Sequence, residues 1–141
     1  VIEREAVAWA VAEVDAARID KVNILNASIE AMNIAVDSLV IRPGFLLIDG
    51  NRFRTECSIP FKCIVGGDGR YASIAAASVL AKTHRDEYMR RLAEEYPYYR
   101  WDSNKGYPTR AHRMSIAHYG LTPYHRLSFN SDPGQLSLFG E

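Results

Sequence analysis

Apolar residues at Val22, Leu25, Ile29, Met32, Val36 and Leu39 recur at alternating steps of three and four, the period of an amphipathic helix, and predict one over residues 16–39. Upstream, Val7, Trp9, Val11 and Val14 are set among Ala and Glu without Gly or Pro, which predicts a strand. Arg42-Pro43-Gly44 breaks the chain, and Phe45 to Ile48 then forms a continuous apolar run, the kind that is buried on both faces of an α/β sheet. Asp49 closes that run at its carboxyl end, where open α/β sheets bind their ligands. Ile59 to Val65 predicts another strand, with Pro60 at an edge or at the first strand position. A helix starts near Tyr71 and continues to about Glu95, where Pro97 ends it; its first half, Ser73-Ile74-Ala75-Ala76-Ala77-Ser78, is small enough to pack close against a sheet.

Composition narrows the function classes. At 141 residues and 48% hydrophobic content, the chain is long enough for one globular domain with a real core. Seventeen basic and seventeen acidic residues cancel, so any site for a polyanion must be local. The absence of a spanning apolar run or a signal-peptide core leads to the expectation of a soluble, cytoplasmic protein. Val1 and Ile2 in place of Met lead to the expectation that an upstream segment has been removed or omitted. Cys57 and Cys63 are too few for a disulfide framework and are expected to be free, partly buried thiols. His84, His112, His118 and His125 lack zinc-ligand spacing, and no glycine run forms a nucleotide-binding loop.

Two carboxylates carry the candidate chemistry. Asp68, nineteen positions after Asp49, sits in Val65-Gly66-Gly67-Asp68-Gly69 at the end of the second apolar stretch. Acids from the ends of neighbouring strands form Mg²⁺ sites, since that ion takes hard oxygen ligands. The same residues also suit a turn and a helix N-cap. Charge becomes asymmetric further on: between Arg70 and Arg126 there are ten basic against five acidic residues, a formal excess of five. Aromatics are interleaved there in Tyr96-Pro97-Tyr98-Tyr99-Arg100-Trp101 and Asn104-Lys105-Gly106-Tyr107-Pro108-Thr109-Arg110. This pattern fits a nucleic acid held by phosphate contacts and ring stacking, and equally a solvated basic face beside a Tyr and Trp core.

The blocks Asn23-Ile24-Leu25-Asn26-Ala27-Ser28, Leu47-Ile48-Asp49-Gly50-Asn51, Gly67-Asp68 leading into Ser73 to Ser78, Ala81-Lys82 with Arg85-Asp86, Asn104-Lys105-Gly106-Tyr107 with Thr109 and His112, and His125-Arg126 follow one another in order. In them the chain resembles the type 2 ribonucleases H, in particular the bacterial ribonuclease HII enzymes, over nearly its whole length. The resemblance implies an α/β, ribonuclease H-like mixed sheet with flanking helices over residues 1–130, lacking its leading strands and ending in a helical portion. It implies an endonuclease that hydrolyses RNA in RNA/DNA hybrids and cuts duplex DNA 5′ to an embedded ribonucleotide, using Mg²⁺ or Mn²⁺. Asp49 and Asp68 match the third and fourth of the family's four catalytic, metal-binding carboxylates. Tyr107 matches the tyrosine that packs on the sugar beside the ribonucleotide and helps sense its 2′-hydroxyl, with Lys105 and Arg110 as phosphate-binding neighbours. Asp86 is expected to make a salt bridge or a cap.

The chain departs from the family where an Asp-Glu pair should stand. No Asp-Glu-Ala-Gly-Arg-Gly occurs in it, and Gly66 stands where many relatives have Lys before Gly-Asp. The 141 residues alone are therefore expected to have little or no activity. Residues 131–141 form a tail in which Gln135-Leu136-Ser137-Leu138-Phe139 resembles a bacterial sliding-clamp-binding peptide; a tail folded back on the domain is the bland alternative. Two other function classes stay open: a non-catalytic module that binds nucleic acid and the clamp, and another metal nuclease of ribonuclease H-like architecture. A monomer is expected.

Overall fold

The computed structural model describes residues 1–128, so Gln135, Leu136, Leu138 and Phe139 lie outside the described residues. The chain forms α1 (Ile2–Glu5), α2 (Ala16–Val22), α3 (Ile24–Asp37), β1 (Leu46–Asp49), β2 (Phe61–Ile64), α4 (Ala72–Glu95), α5 (Trp101–Asn104) and α6 (Arg110–Tyr119). Single 3₁₀ turns occur at Gly67–Gly69 and Pro97–Tyr99. These elements cluster into two compact units. One comprises Val1–Val14 and Val22–Thr83, the other Asp15–Lys21 and the chain from His84 onward. None of the helices among the described residues is long and apolar enough to cross a membrane.

In the first unit, β1 and β2 run parallel, with Leu46 opposite Phe61 and Asp49 opposite Ile64. The ladder is extended at both ends, since Leu46 N–H donates to Pro60 O at 2.9 Å and Gly50 N–H donates to Ile64 O at 2.9 Å. Pro60 thus precedes the strand, where its missing N–H costs nothing. Leu46 and Ile48 are buried with Ile59, against Met32, Val36, Phe53, Cys57 and Cys63. Burial of each such aliphatic side chain contributes about 1.5–3 kcal/mol. Both thiols are free and partly buried, as expected.

The helix expected over residues 16–39 is two helices. Asn23 interrupts it with φ 70 and ψ 166, and its Oδ1 accepts the Asn26 N–H at 3.0 Å to cap α3. The apolar stripe runs through the break because a single non-helical residue leaves the three-four spacing on either side intact. Residues 7–14 form no strand. They follow α1 as irregular chain with Val7 84% exposed, and they join no ladder with β1 or β2. Branched side chains favour a strand only where a neighbouring strand accepts the pairing.

The second unit is helical. Its core holds Met89, Leu92 and Ala93 of α4 against Tyr99 and Trp101, with Tyr88, Tyr96 and Ile116 beside them. Tyr99 stacks on Trp101 at 5.1 Å between ring centroids, and its hydroxyl donates to Gly120 O at 2.8 Å. Burial raises the Tyr99 phenol above its ordinary value. Asp20 of α2 accepts the amides of Leu127 at 2.6 Å and Ser128 at 2.9 Å, and also the Ser128 hydroxyl. That hydroxyl is the main reason why the Asp20 carboxyl is held below its ordinary value. Asp86 is half-buried on α4.

Candidate functional site

β1 delivers Asp49 to its carboxyl end as the one exposed residue of the strand, after the buried Leu46 and Ile48. The apolar run stops there because the next residue, Gly50, takes φ +106 and turns the chain away. β2 ends in the same direction, and Gly66, at φ +64, leads into the 3₁₀ turn that carries Asp68. The two carboxylates therefore belong to the same end of a parallel pair. Gly67 links them: its N–H donates to Asp49 Oδ1 at 2.9 Å, and Asp68 follows it directly. Asp68 Oδ1 in turn accepts the Gly69 N–H at 2.9 Å.

Each carboxylate thus places one oxygen on a backbone N–H and leaves the other without a hydrogen-bond partner among the described residues. Both side chains are exposed. Two solvent-facing carboxylate oxygens of this kind are hard donors of the type that Mg²⁺ or Mn²⁺ takes. The donor chemistry fits a hard divalent cation in part: among the described residues no group of three or more His, Cys, Asp or Glu is clustered to hold a metal ion. Gly67 is buried, and a Cβ on it would lie 2.6 Å from Ile74 Cδ1 and 3.4 Å from Asp49 Oδ1, so a larger residue here would press on the Ile74 side chain.

The second unit presents Tyr107 on a tight loop. Lys105 and Gly106 take φ 51 and φ 81, and Tyr107 is 67% exposed. Asn104 organises the loop, as its Nδ2 donates to Tyr99 O at 2.6 Å and its Oδ1 accepts the Gly106 N–H at 2.9 Å. Tyr107 N–H donates to Asn104 O at 2.9 Å. Lys105 Nζ donates to Asp102 O at 2.6 Å, which ties the ammonium to its own turn. Arg110 is exposed at the first residue of α6, and Thr109 caps that helix by accepting the His112 N–H at 3.2 Å. Tyr107, Lys105 and Arg110 thus share one loop and helix start.

The aromatic stretch divides between core and surface. Tyr99 and Trp101 are 4% and 2% exposed, whereas Tyr98 is 61% exposed and stacks on Tyr119. Sequence reasoning gave no role to His112 or His125 and left Trp101 open between a stacking ring and a core residue; the three pack behind the Tyr107 loop, with Trp101 buried. Their types were visible in the motif, but their juxtaposition depends on contacts across 11 and 13 residues.

A sequence model of the ribonuclease HII family matches residues 1–132. Ribonuclease HII of Bacteroides fragilis (strain YCH46) is 60% identical over 142 residues, covering 100% of this chain and 71% of the relative. Ribonuclease HII of Bacteroides thetaiotaomicron is 60% identical over 139 residues, covering 98% of this chain and 70% of the relative. The crystal structure of the ribonuclease H2 from Pyrococcus horikoshii OT3 aligns with a TM-score of 0.68 at 21% identity, over 84% of this chain. This chain spans 63% of that structure, and the likeness is one of fold.

Proposed function

The chain belongs to the ribonuclease HII family, and from that premise we propose that it carries half of the metal-binding carboxylates and the sugar-contacting loop of a ribonuclease H endonuclease. The substrates are RNA/DNA hybrids and duplex DNA with embedded ribonucleotides, cut on the 5′ side of the ribonucleotide. The observation that carries this reading is the pair Asp49 and Asp68 at one end of two parallel strands, joined through the Gly67 amide. A bound Mg²⁺ or Mn²⁺ supplies charge neutralisation at the scissile phosphate and a more acidic water.

The residues of this chain do the positioning. Asp49 and Asp68 would hold the cation, and their backbone hydrogen bonds keep the carboxylates from turning away. Tyr107 lays its exposed ring against the sugar next to the ribonucleotide, and Arg110 and Lys105 contact phosphates, Lys105 by giving up its bond to the Asp102 carbonyl. The 2′-hydroxyl is the group by which this loop separates RNA from DNA.

The Asp-Glu pair of the family is absent from these 141 residues, so catalysis needs carboxylates beyond Asp49 and Asp68. The test is cleavage of duplex DNA bearing one ribonucleotide, in Mg²⁺. The 141 residues alone are expected to leave it intact, and a polypeptide carrying them behind an Asp-Glu-Ala-Gly-Arg-Gly strand is expected to cut it 5′ to the ribonucleotide. Robust cleavage by the 141 residues alone would show the two carboxylates to be sufficient, against this account. Domain limits of 1–130 for the catalytic portion and 131–141 for a tail, a monomeric state and a cytoplasmic location complete the proposal. The tail peptide Gln135-Leu136-Ser137-Leu138-Phe139 is assigned to a bacterial sliding clamp, with the Gln at the pocket edge and Leu and Phe in an apolar groove. A second reading is a non-catalytic module that keeps Tyr107 and the clamp peptide.

A further inference from the structure

His112 and His125 lie behind the Tyr107 loop and take no part in the chemistry described above. His112 is 6% exposed, and its Nδ1 is 3.0 Å from the Tyr107 carbonyl oxygen. Its Nε2 is 3.1 Å from Trp101 Nε1 and 3.2 Å from His125 Nε2. His125 Nδ1 lies 3.0 Å from the Thr122 backbone nitrogen and 2.9 Å from Thr122 Oγ1.

Two partners in this chain can only donate, and they fix every proton. The Trp101 indole N–H points at His112 Nε2, which must be a lone pair. The ring proton of His112 is then on Nδ1 and is donated to the Tyr107 carbonyl. The Thr122 amide likewise makes His125 Nδ1 an acceptor and puts that ring's proton on Nε2, aimed at His112 Nε2. Both rings are neutral in this arrangement. A proton added to His112 Nε2 would face two N–H groups at hydrogen-bond distance, a repulsive contact in a largely buried place.

Tyr107 has little else to hold it. Its ring is mostly exposed, so packing does not set its direction, and the two preceding residues take left-handed backbone angles. Asn104 secures its N–H. Its carbonyl accepts from His112 Nδ1–H and from the Thr109 N–H at 2.8 Å. We propose that His112, oriented by Trp101 and His125, is a positioning residue that locks the Tyr107 carbonyl and thereby sets the direction in which the tyrosine ring leaves the loop. The consequence for substrate recognition rests on the reading of Tyr107 as the sugar contact. Burial, and then the neighbouring His112, depress His125 to about 4, which agrees with the neutral His125 ring that the Thr122 amide requires at neutral pH.

Nitrogen-detected NMR of the imidazoles in the full chain at pH 7 tests this first. His112 should be protonated on Nδ1 only and His125 on Nε2 only. The opposite tautomer at either ring, or a charged ring, overturns the proposal whether or not any variant folds. Amide exchange follows: His112→Leu should speed exchange at Tyr107 and Thr109 roughly tenfold, with the amides of Ile116 and Gly120 unchanged. His112→Asn, which keeps an N–H near the position of Nδ1, should restore the slow exchange. Unchanged exchange at Tyr107 in His112→Leu, or no rescue by Asn, also overturns it.

Binding of duplex DNA with one ribonucleotide, relative to all-DNA duplex, then separates this inference from the reading beneath it. His112→Leu should lower the preference, and adding it to Tyr107→Ala should lower it no further, since the two act as one unit. Additive losses overturn the positioning role. A Tyr107→Ala chain with the original preference overturns the sugar-contact reading instead, while the tautomers and exchange rates still decide whether His112 locks the loop.

Discussion

Asp49 offers an oxygen to solvent because Gly67 occupies the other one, and this makes Gly67 as consequential as the acid. In Gly67→Ala the new Cβ meets Ile74 Cδ1 at 2.6 Å, and Ile74 is itself only 6% exposed, so either that buried side chain or the turn must shift. The variant should lose about 1–3 kcal/mol of stability by urea denaturation and bind Mn²⁺ more weakly than wild type by calorimetry. An unchanged unfolding midpoint would contradict this packing argument. At His125, the folded value of about 4 lies below the ordinary 6.5, so the unfolded chain takes up the proton first as pH falls. Stability should therefore be unaffected by this group above pH 6.5, decline from there towards pH 4, and level off below. Urea midpoints measured from pH 7.5 to 4 should fall less steeply in His125→Gln than in wild type, and parallel profiles would refute the sign. The placement of Asp49 and Asp68 at the ends of the two apolar runs was legible in the sequence because strand ends and Gly-Asp turns are local features. The His112 and His125 pair was not, since its meaning lies in a 3.2 Å contact that no spacing rule anticipates.

At the scale of elements, local pattern and structure agree where one residue type dominates a segment. β1 and β2 fall within the two apolar runs, and α4 covers the small-residue stretch and ends ahead of Pro97. The disagreements fall where periodicity cannot see the backbone. Asn23 takes φ 70 and ψ 166, a conformation that glycine tolerates best, yet its side chain gives α3 its cap. Asn23→Ala should cost about 1–2 kcal/mol through the lost cap and the awkward backbone together, whereas Asn23→Gly should cost only a few tenths. Thermal or urea unfolding of the two variants checks this, and equal losses would mean that the backbone conformation there is of no consequence. The strand expected at residues 7–14 failed for a different reason. Strand propensity is a statement about a partner, and among the described residues β1 and β2 pair only with each other.

Over the whole molecule, a net charge of zero concealed an uneven distribution, with the basic excess carried by the chain after Arg70. The described residues divide accordingly: Asp49 and Asp68 belong to one compact unit, and Tyr107, Lys105 and Arg110 to the other. The family was legible from ordered blocks along the chain, whereas composition alone reached no further than one globular domain. The tail makes its own prediction, because a five-residue anchor works independently of the fold behind it. Purified bacterial sliding clamp should be captured by the full chain and lost when Leu138→Ala and Phe139→Ala are combined, and equal capture would remove that partner. The measurement that bears most directly on the account is cleavage of duplex DNA containing one ribonucleotide, in Mg²⁺, by the polypeptide that joins these residues to an Asp-Glu strand, beside its Asp68→Asn variant. A cut on the 5′ side of the ribonucleotide that falls by at least about 10²-fold in the variant is the predicted result. Equal cleavage by both would contradict the assignment of Asp68 to the catalytic metal site.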